Sequence, residues 1–256
     1  MPLLSIITIN RNNALGLEKT INSVIGQAFN DYEYLIIDGA STDESVSIIE
    51  KHAPSISYWV SEPDKGIYSA MNKGIRKASG DYIIFMNSGD TFISPDTLQA
   101  VFSTKRTADL IAGCVVLDGK RVKIRETIPE KITFYHFFVS TLWHQATFTK
   151  RELFSEIGLY DEDMKISADW KFALLATIKH EKKVDLIDMD IALIDTSGIS
   201  GSDEGNEIIK KEHEETFQKY FAPFYDDYVE LKRMKRYTFA RLKKHVIWRL
   251  SKLLIR

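Results

Sequence analysis

Strand-like apolar runs alternate with helical segments through the first part of the chain. The runs are "LLSIITI" (3–9), "YEYLIID" (32–38), "ISYWVSE" (56–62) and "DYIIFM" (81–86). A continuous, β-branched run suits a strand buried on both faces of a parallel sheet. Between them lie "ALGLEKTINSVIGQ", with Leu17, Ile21, Val24 and Ile25 at helical spacing, then "STDESVSIIEKH" and "GIYSAMNKGIRKAS". The second of these opens on residue types that cap helix N-termini. The alternation predicts an α/β fold with a doubly wound, mostly parallel sheet and helices on both faces. "SPDTLQAVF" is expected to open a further helix, with Ser94 at the N-cap and Pro95 at N1.

From about Ala108 the pattern changes. "DLIAGCVVL" and "KRVKIRETI" read as a hairpin around Asp118-Gly119. Helical segments are expected at 130–138, 150–157 and 168–180, and two strand-like runs near 184–188 and 190–195. The sequence carries no internal repeat and no low-complexity segment.

Charge is distributed unevenly. The 256 residues carry a formal net charge of -2, yet the segment from Val229 to the end carries +9, leaving -11 on the rest. An acidic body with a basic tail suggests a separate partner for the tail. The lone Cys114 excludes a disulfide framework. No apolar run approaches the ~20 residues of a spanning helix, and "MPLLSIITIN" lacks the features of a signal peptide. The expectation is a cytoplasmic protein that touches a membrane, if at all, from the inner face.

Ligands of such sheets sit at the carboxyl ends of the strands. The polar residues there are Asn10 to Asn13, Asp38 to Asp43, Glu62 to Lys65 and Asn87 to Asp90. Neither G-x-G-x-x-G nor G-x-x-x-x-G-K-[ST] follows the first strand, which weighs against a nicotinamide oxidoreductase and a P-loop phosphotransferase.

The segments "SIITINRNN", "SVIGQAFNDYEYLIIDGASTDES", "EPDKGIYSAMNKGIRKASGDYIIFMNSGD" and "ISADWKF" resemble family 2 glycosyltransferases of the GT-A fold, bacterial polysaccharide-assembly type. The resemblance spans roughly residues 3 to 200. It implies a GT-A domain over 1–205, with a nucleotide-binding half (1–105) and an acceptor half (106–205). Residues 206–256 form a C-terminal helical, basic extension. It also implies nucleotide contacts from Ile9, Arg11, Asp38, Asp64, Lys65, Asn72, Asn87 and Ser88. Asp38 has Gly39 beside it where the family carries a second acid, and an Asx turn is the plain reading of this stretch.

The family's acidic motif after the fourth strand binds Mn²⁺ or Mg²⁺, which holds the nucleotide diphosphate. Here the motif is "NSGD", with one carboxylate, Asp90, as the implied metal ligand and Asn87 or Ser88 in the shell. Mg²⁺ often takes one or two carboxylates plus substrate phosphates, so one acid can serve. Asp169, before Trp170, matches the family's catalytic base, which takes the acceptor's proton in a single inverting displacement. Ala168 stands where relatives carry another acid, and Asp169 could otherwise be an ordinary helix N-terminal acid beneath Ser167. His144 in "HQATF" and Trp170 are placed on the acceptor side. The loop 195–203 could close over a diphosphate or serve as a linker.

The tail from Leu231 writes as a helix with Phe239, Leu242, Val246, Leu250 and Leu253 in one stripe, flanked by Ile247, Trp248 and Leu254, and basic residues around it. That pattern predicts an interfacial helix on anionic lipid, against a helix packed on the body. No nucleic-acid partner is expected, because an acidic body repels phosphates. The expected function is transfer of a sugar from a nucleoside-diphosphate sugar, UDP-sugar favoured, to a saccharide or lipid-linked saccharide in surface polysaccharide synthesis. The alternative is a non-catalytic, membrane-associated sugar-nucleotide-binding protein. A nucleotidyltransferase would want more basic and Gly residues after the first strand than "NRNNALG" offers.

Overall fold

The structure is a computed structural model that describes residues 1–119, 122–196 and 203–253, with side chains as far as Lys235. The first strands and helices are β1 (Leu4–Asn10), α1 (Ala14–Ile25), β2 (Tyr32–Asp38), α2 (Ser45–His52), β3 (Tyr58–Ser61), α3 (Ile67–Lys77) and β4 (Tyr82–Phe85). A two-residue strand β5 (Thr91–Phe92) and helix α4 (Thr97–Val101) follow. Then come β6 (Leu110–Asp118), β7 (Lys123–Glu126), α5 (Phe134–Val139), β8 (Thr147–Lys150), α6 (Leu153–Glu156), α7 (Ala168–Leu174), β9 (Val184–Asp195) and α8 (Asp203–Leu253).

One mixed sheet has the order β3-β2-β1-β4-β8-β6-β9-β5, with β7 beside β6. The ladders β1–β2, β2–β3 and β1–β4 are parallel, as the continuous apolar runs require, and so is β6–β9. The shorter ladders of β8 with β4 and β6, and of β5 with β9, are antiparallel. Alternation along the strands sends side chains to two cores. Leu4, Ile6, Ile36 and Ile84 pack with Leu17, Ile21 and Val24 of α1, Ile49 of α2 and Leu98 of α4. On the other face Ile7, Ile37, Ile83 and Phe85 pack with Met71 and Ile75 of α3, Phe154 of α6 and Phe172 of α7. Each such aliphatic side chain, fully buried, contributes about 1.5–3 kcal/mol. The expected α/β sheet with helices on both faces is therefore what forms.

Several element boundaries differ from the expectation. α4 begins at Thr97 rather than at Pro95, with the Ser94 hydroxyl accepting from the Asp96 N–H at 3.3 Å. The two strand-like runs after 184 are one strand, β9, whose register on β6 slips on either side of Cys114. Gly113 allows the slip, because a Cβ there would lie 2.5 Å from Ile191 Cγ1. The helical stretch expected over 168–180 is α7 followed by a π-turn, Leu175–Lys179. The expected hairpin is present as the β6–β7 pairing, with Asp118 opposite Lys123; residues 120–121 of its turn lie outside the described residues.

The chain divides into two compact units, Met1–Lys210 and Lys211–Arg256. α8 bends at Phe221 (φ -139°, ψ 26°), beside Pro223. Proline supplies no N–H for the helical ladder and its ring crowds the preceding turn, which accounts for the break. The backbone of the tail is helical as expected. The side chains of the apolar stripe, and residues 197–202 of the expected diphosphate loop, lie outside the described residues.

Candidate functional site

β1, β2 and β4 run in parallel, so Asn10, Asp38 and the turn 87–90 emerge at the same end of the sheet. Asp38 is fully buried at the tip of β2. Its Oδ1 accepts from Asn10 Nδ2 at 2.7 Å and the Ser41 hydroxyl at 2.6 Å. Its Oδ2 accepts from the Ser41 N–H at 2.9 Å and the Ser61 hydroxyl at 2.6 Å. Burial works to raise its carboxyl, but the hydrogen bonds from Ser41, Ser61 and Asn10 prevail and hold it below the usual carboxylate range. In this arrangement Asp38 ties the ends of β1, β2 and β3 together. The two oxygens have four acceptor sites and all four are occupied.

The neighbouring Gly39 is closely faced. A Cβ on it would meet Asp64 Oδ2 at 3.1 Å and Arg11 Cδ at 3.4 Å. Asp64 is held there by Lys73 at 2.6 Å, and Lys73 also pairs with Glu62 at 2.8 Å. Lys65 is exposed on the same loop, and Gly66 at φ 144° lets the loop turn into α3. Arg11, Asp64 and Lys65 therefore lie around the tip of β2 and the loop after β3. Ile9 contributes only backbone: its side chain is 8 % exposed within the core, and its carbonyl accepts from the Ser88 N–H at 3.1 Å.

The turn 87–90 is fixed from α1. Thr20 accepts from the Gly89 N–H at 2.9 Å and lies 2.7 Å from the Asp90 carbonyl. Asn13 caps α1 through the Gly16 N–H and donates to the Ser88 carbonyl at 3.1 Å. Gly89 adopts φ 106°, a region that side chains disfavour. Asp90 is 5 % exposed, with Oδ2 accepting from Gln145 Nε2 and Oδ1 from the Asp195 N–H, each at 3.0 Å. Burial raises its carboxyl, against the hydrogen bonds that lower it. A second carboxylate is near: a Cβ on Gly89 would fall 3.2 Å from Asp195 Oδ2. Among the described residues no three His, Cys, Asp or Glu side chains cluster as a metal cage. Two carboxylates beside a polar turn fit a hard divalent cation that takes its remaining ligands from water and phosphate.

Asp169 lies in the first turn of α7, its side chain 16 % exposed. Its Oδ1 is 2.7 Å from the Tyr68 hydroxyl, which also contacts the Ile166 carbonyl. Its Oδ2 is 2.8 Å from His144 Nδ1. The other ring nitrogen, His144 Nε2, is 3.1 Å from Asn87 Nδ2. Burial raises the Asp169 carboxyl, but the His144 hydrogen bond and charge, with Tyr68, outweigh it and leave it below the usual range. The Tyr68 hydroxyl is pushed well up by burial and by Asp169. The carboxylate is thereby kept ionised and oriented, the state from which it can accept a proton, while its partners reduce its basicity.

Three of the expected site residues are placed as follows. His144 sits on a 3₁₀ turn, His144–Ala146, just before β8. Trp170 is 2 % exposed and donates from Nε1 to the Phe137 carbonyl at 3.1 Å, so it faces the interior rather than an acceptor. Asn72 is 1 % exposed, donates to the Tyr160 carbonyl and Glu162 Oε1 at 2.9 Å each, and accepts from the Tyr160 N–H at 3.0 Å. Its amide clamps the loop before α7 to α3. Conversely, Thr20, Tyr68, Gln145 and Asp195 were not singled out by the sequence. Gln145 is adjacent to His144 in "HQATF", and Tyr68 lies in the quoted "GIYSAMNKG"; these were the available signals.

The glycosyl transferase family 2 model matches residues 5–164. An uncharacterized glycosyltransferase of Mycobacterium tuberculosis is 36 % identical over 212 residues, covering 79 % of each chain. A PGL/p-HBAD biosynthesis glycosyltransferase of Mycobacterium bovis is 30 % identical over 178 residues, 67 % of this chain and 68 % of its own. Among solved structures, S. aureus TarS 1–349 in complex with UDP aligns with a TM-score of 0.63 at 17 % identity, over 85 % of this chain and 72 % of that one. The mannosyltransferase PcManGT from Pyrobaculum calidifontis, in complex with GDP-Man and Mn²⁺, aligns at 0.57 and 17 % identity, over 75 % and 56 %. At such identities these two likenesses show the fold.

Proposed function

The chain belongs to glycosyl transferase family 2, and from that premise we propose that it transfers a sugar, with inversion, from a nucleoside-diphosphate sugar to a saccharide or lipid-linked saccharide. A UDP-sugar is the favoured donor and surface polysaccharide or glycolipid assembly the setting. The observation that carries the reading is the line Asp169–His144–Asn87, which brings a depressed carboxylate to the same end of the sheet as the turn holding Asp90. Fold neighbours solved with UDP and with GDP-Man support a nucleotide-sugar donor. The M. bovis relative named for PGL/p-HBAD biosynthesis supports a biosynthetic setting.

In the transfer, the acceptor oxygen bonds to the anomeric carbon as the bond from that carbon to the diphosphate oxygen breaks. The hydroxyl proton passes to Asp169. Tyr68 and His144 keep that carboxylate ionised and oriented. Arg11, Asp64, Lys65 and the backbone of 87–89 line the donor side, with Asp38 stiffening it. A divalent cation, Mn²⁺ or Mg²⁺, would be held by Asp90 and Asp195, with Asn87 or Ser88 in its shell. It would supply positive charge beside the leaving diphosphate.

The basic tail, residues 229–256, is the proposed anchor to an anionic membrane surface, which brings the site to a lipid-linked acceptor on the cytoplasmic side. Among the described residues no helix is long and apolar enough to cross a membrane, so the anchor would be peripheral. A thermal-shift panel of UDP-, GDP-, CDP- and dTDP-sugars, each with and without Mn²⁺, tests the donor reading. Stabilisation by one nucleotide series, enhanced by Mn²⁺, is expected. A flat response to every nucleotide contradicts it.

A further inference from the structure

Asn87 and Asp169 stand far apart in sequence, and one imidazole joins them. His144 Nδ1 lies 2.8 Å from Asp169 Oδ2 and His144 Nε2 lies 3.1 Å from Asn87 Nδ2. The ring is itself held: its 3₁₀ turn leads directly into β8, and Phe85 packs edge-on at 6.5 Å between centroids. The next residue, Gln145, donates to Asp90. The same short turn therefore touches both acids, one through each of two adjacent side chains.

The Asn87 amide is bound at one end only. Its nitrogen meets His144, while its Oδ1 is buried without a hydrogen-bond partner. A buried acceptor left unmade keeps its desolvation cost. It gives the amide a reason to shift when a donor group arrives at the turn 87–90. Asp169, in contrast, has its Oδ1 fixed by Tyr68. Its Oδ2 meets His144 Nδ1 at 2.8 Å, so the imidazole is the side chain that holds the second oxygen.

We propose that His144 is a positioning residue that sets the orientation of Asp169 and couples it, through Asn87, to occupancy of the nucleotide-facing turn. His144 acts through the carboxylate and touches no reacting atom. The effect is that the base is aimed when the donor is in place. This rests on the reading of Asp169 as the base, and the experiment separates the two.

The two ring nitrogens can be replaced one at a time. His144→Asn retains an N–H near the place of Nδ1 and loses the reach to Asn87. His144→Gln retains a group near the place of Nε2 and loses the bond to Asp169. The assay is turnover of whichever UDP-, GDP-, CDP- or dTDP-sugar best stabilises the protein, with water as acceptor, in the full chain. Outer partners of this kind typically shift activity by about 10–100-fold. His144→Gln is expected to lose kcat by about that factor with donor KM unchanged, and His144→Asn to lose clearly less. In an Asp169→Asn background, His144→Gln should cost no more than Asp169→Asn alone, since both act at one group.

A second readout does not need turnover. The ring nitrogens of His144, followed by ¹⁵N NMR, should shift on addition of UDP and Mg²⁺ in the wild type. They should fail to shift in Asn87→Ala at UDP and Mg²⁺ concentrations that saturate that variant by calorimetry. Equal losses for the Asn and Gln variants, an additive loss in the double variant, or an undiminished shift in Asn87→Ala would each overturn the coupling. If instead Asp169→Asn turns over like the wild type, the base reading itself falls, and that arm reports it without reference to His144.

Discussion

The backbone N–H of Asp195, the last residue of β9, donates to Oδ1 of Asp90 at 3.0 Å across 105 positions of sequence. The contact closes the turn 87–90 against the far side of the sheet and brings a second carboxylate to a motif that carries only one. Asp195→Asn leaves the backbone bond intact and removes that charge. Nucleotide binding should keep its affinity without metal and lose most of its enhancement by Mn²⁺, read by calorimetry with and without chelator. Full Mn²⁺ enhancement in Asp195→Asn would remove this residue from the cation's shell.

Gly89 makes the approach possible. Alanine there must hold φ near 106° and place its Cβ 3.2 Å from Asp195 Oδ2. A non-glycine residue in a sparsely populated region costs about 1–3 kcal/mol. Gly89→Ala should lower Tm by several degrees and weaken Mn²⁺-dependent binding together. A variant with wild-type Tm and binding would show that the turn accommodates a side chain.

Asp90 and Asp169 are shifted in opposite directions, and their variants should differ in pH dependence. The Asp90 carboxyl is raised by burial. Stability linked to it is full below the ordinary value, about 3.9, and is lost as pH rises through the higher folded value. Asp90→Asn removes that charge, so its Tm without metal should match or exceed the wild type at pH 7, with the difference shrinking toward pH 4. Burial also acts to raise Asp169, but its bonds to His144 and Tyr68 leave it lowered. Its contribution is present above the ordinary value and lost as pH falls through the depressed one. Asp169→Asn should be less stable than wild type at pH 7, with the gap closing on strong acidification. Thermal melts across pH check both signs, and parallel curves for the two variants would contradict them.

The fold was legible because strands buried on both faces must be apolar throughout. Ile6 and Ile7 face opposite cores, so the run gives a strand without alternation. The site was legible only where a motif carried it. Asp90 and Asp169 stand in short local patterns. Thr20 and Asp195 act through convergence of distant segments, which no local pattern encodes. Asn72 and Trp170 bond to the Tyr160 loop and the Phe137 carbonyl, contacts that a motif match does not predict. The break between 188 and 190 read as two strands because a β-bulge interrupts periodicity as a turn does.

Asp38→Ala would strip the partner from Asn10, Ser41 and Ser61 at once. With buried donors left unmet, the loss is about 3 kcal/mol, or a Tm lower by about 6–12 °C. Nucleotide affinity should fall with it, because the ends of β1, β2 and β3 loosen together. Unchanged Tm with lost nucleotide binding would instead mark Asp38 as a direct ligand contact.

The tail carries +9 from Val229 onward. Each basic side chain near an anionic surface contributes about 1 kcal/mol, which salt screens. Burial of apolar side chains adds a part that salt does not weaken. Binding to phosphatidylserine-containing vesicles should fall but persist as salt rises. Truncation after Tyr228 should abolish it and leave nucleotide binding unchanged. A full-length protein indifferent to such vesicles at low salt contradicts the anchor.

The central claim is that Asp169 takes the acceptor's proton. Asp169→Asn keeps the size of the side chain and one of its two acceptor positions but cannot take up the proton, and general-base loss typically costs about 10²–10⁴ in rate. The direct measurement is kcat for the stabilising nucleotide sugar in wild type and Asp169→Asn, with donor Kd measured on the same samples. The predicted result is a rate lower by that factor at unchanged Kd. A rate within a few-fold of wild type at unchanged Kd would contradict it.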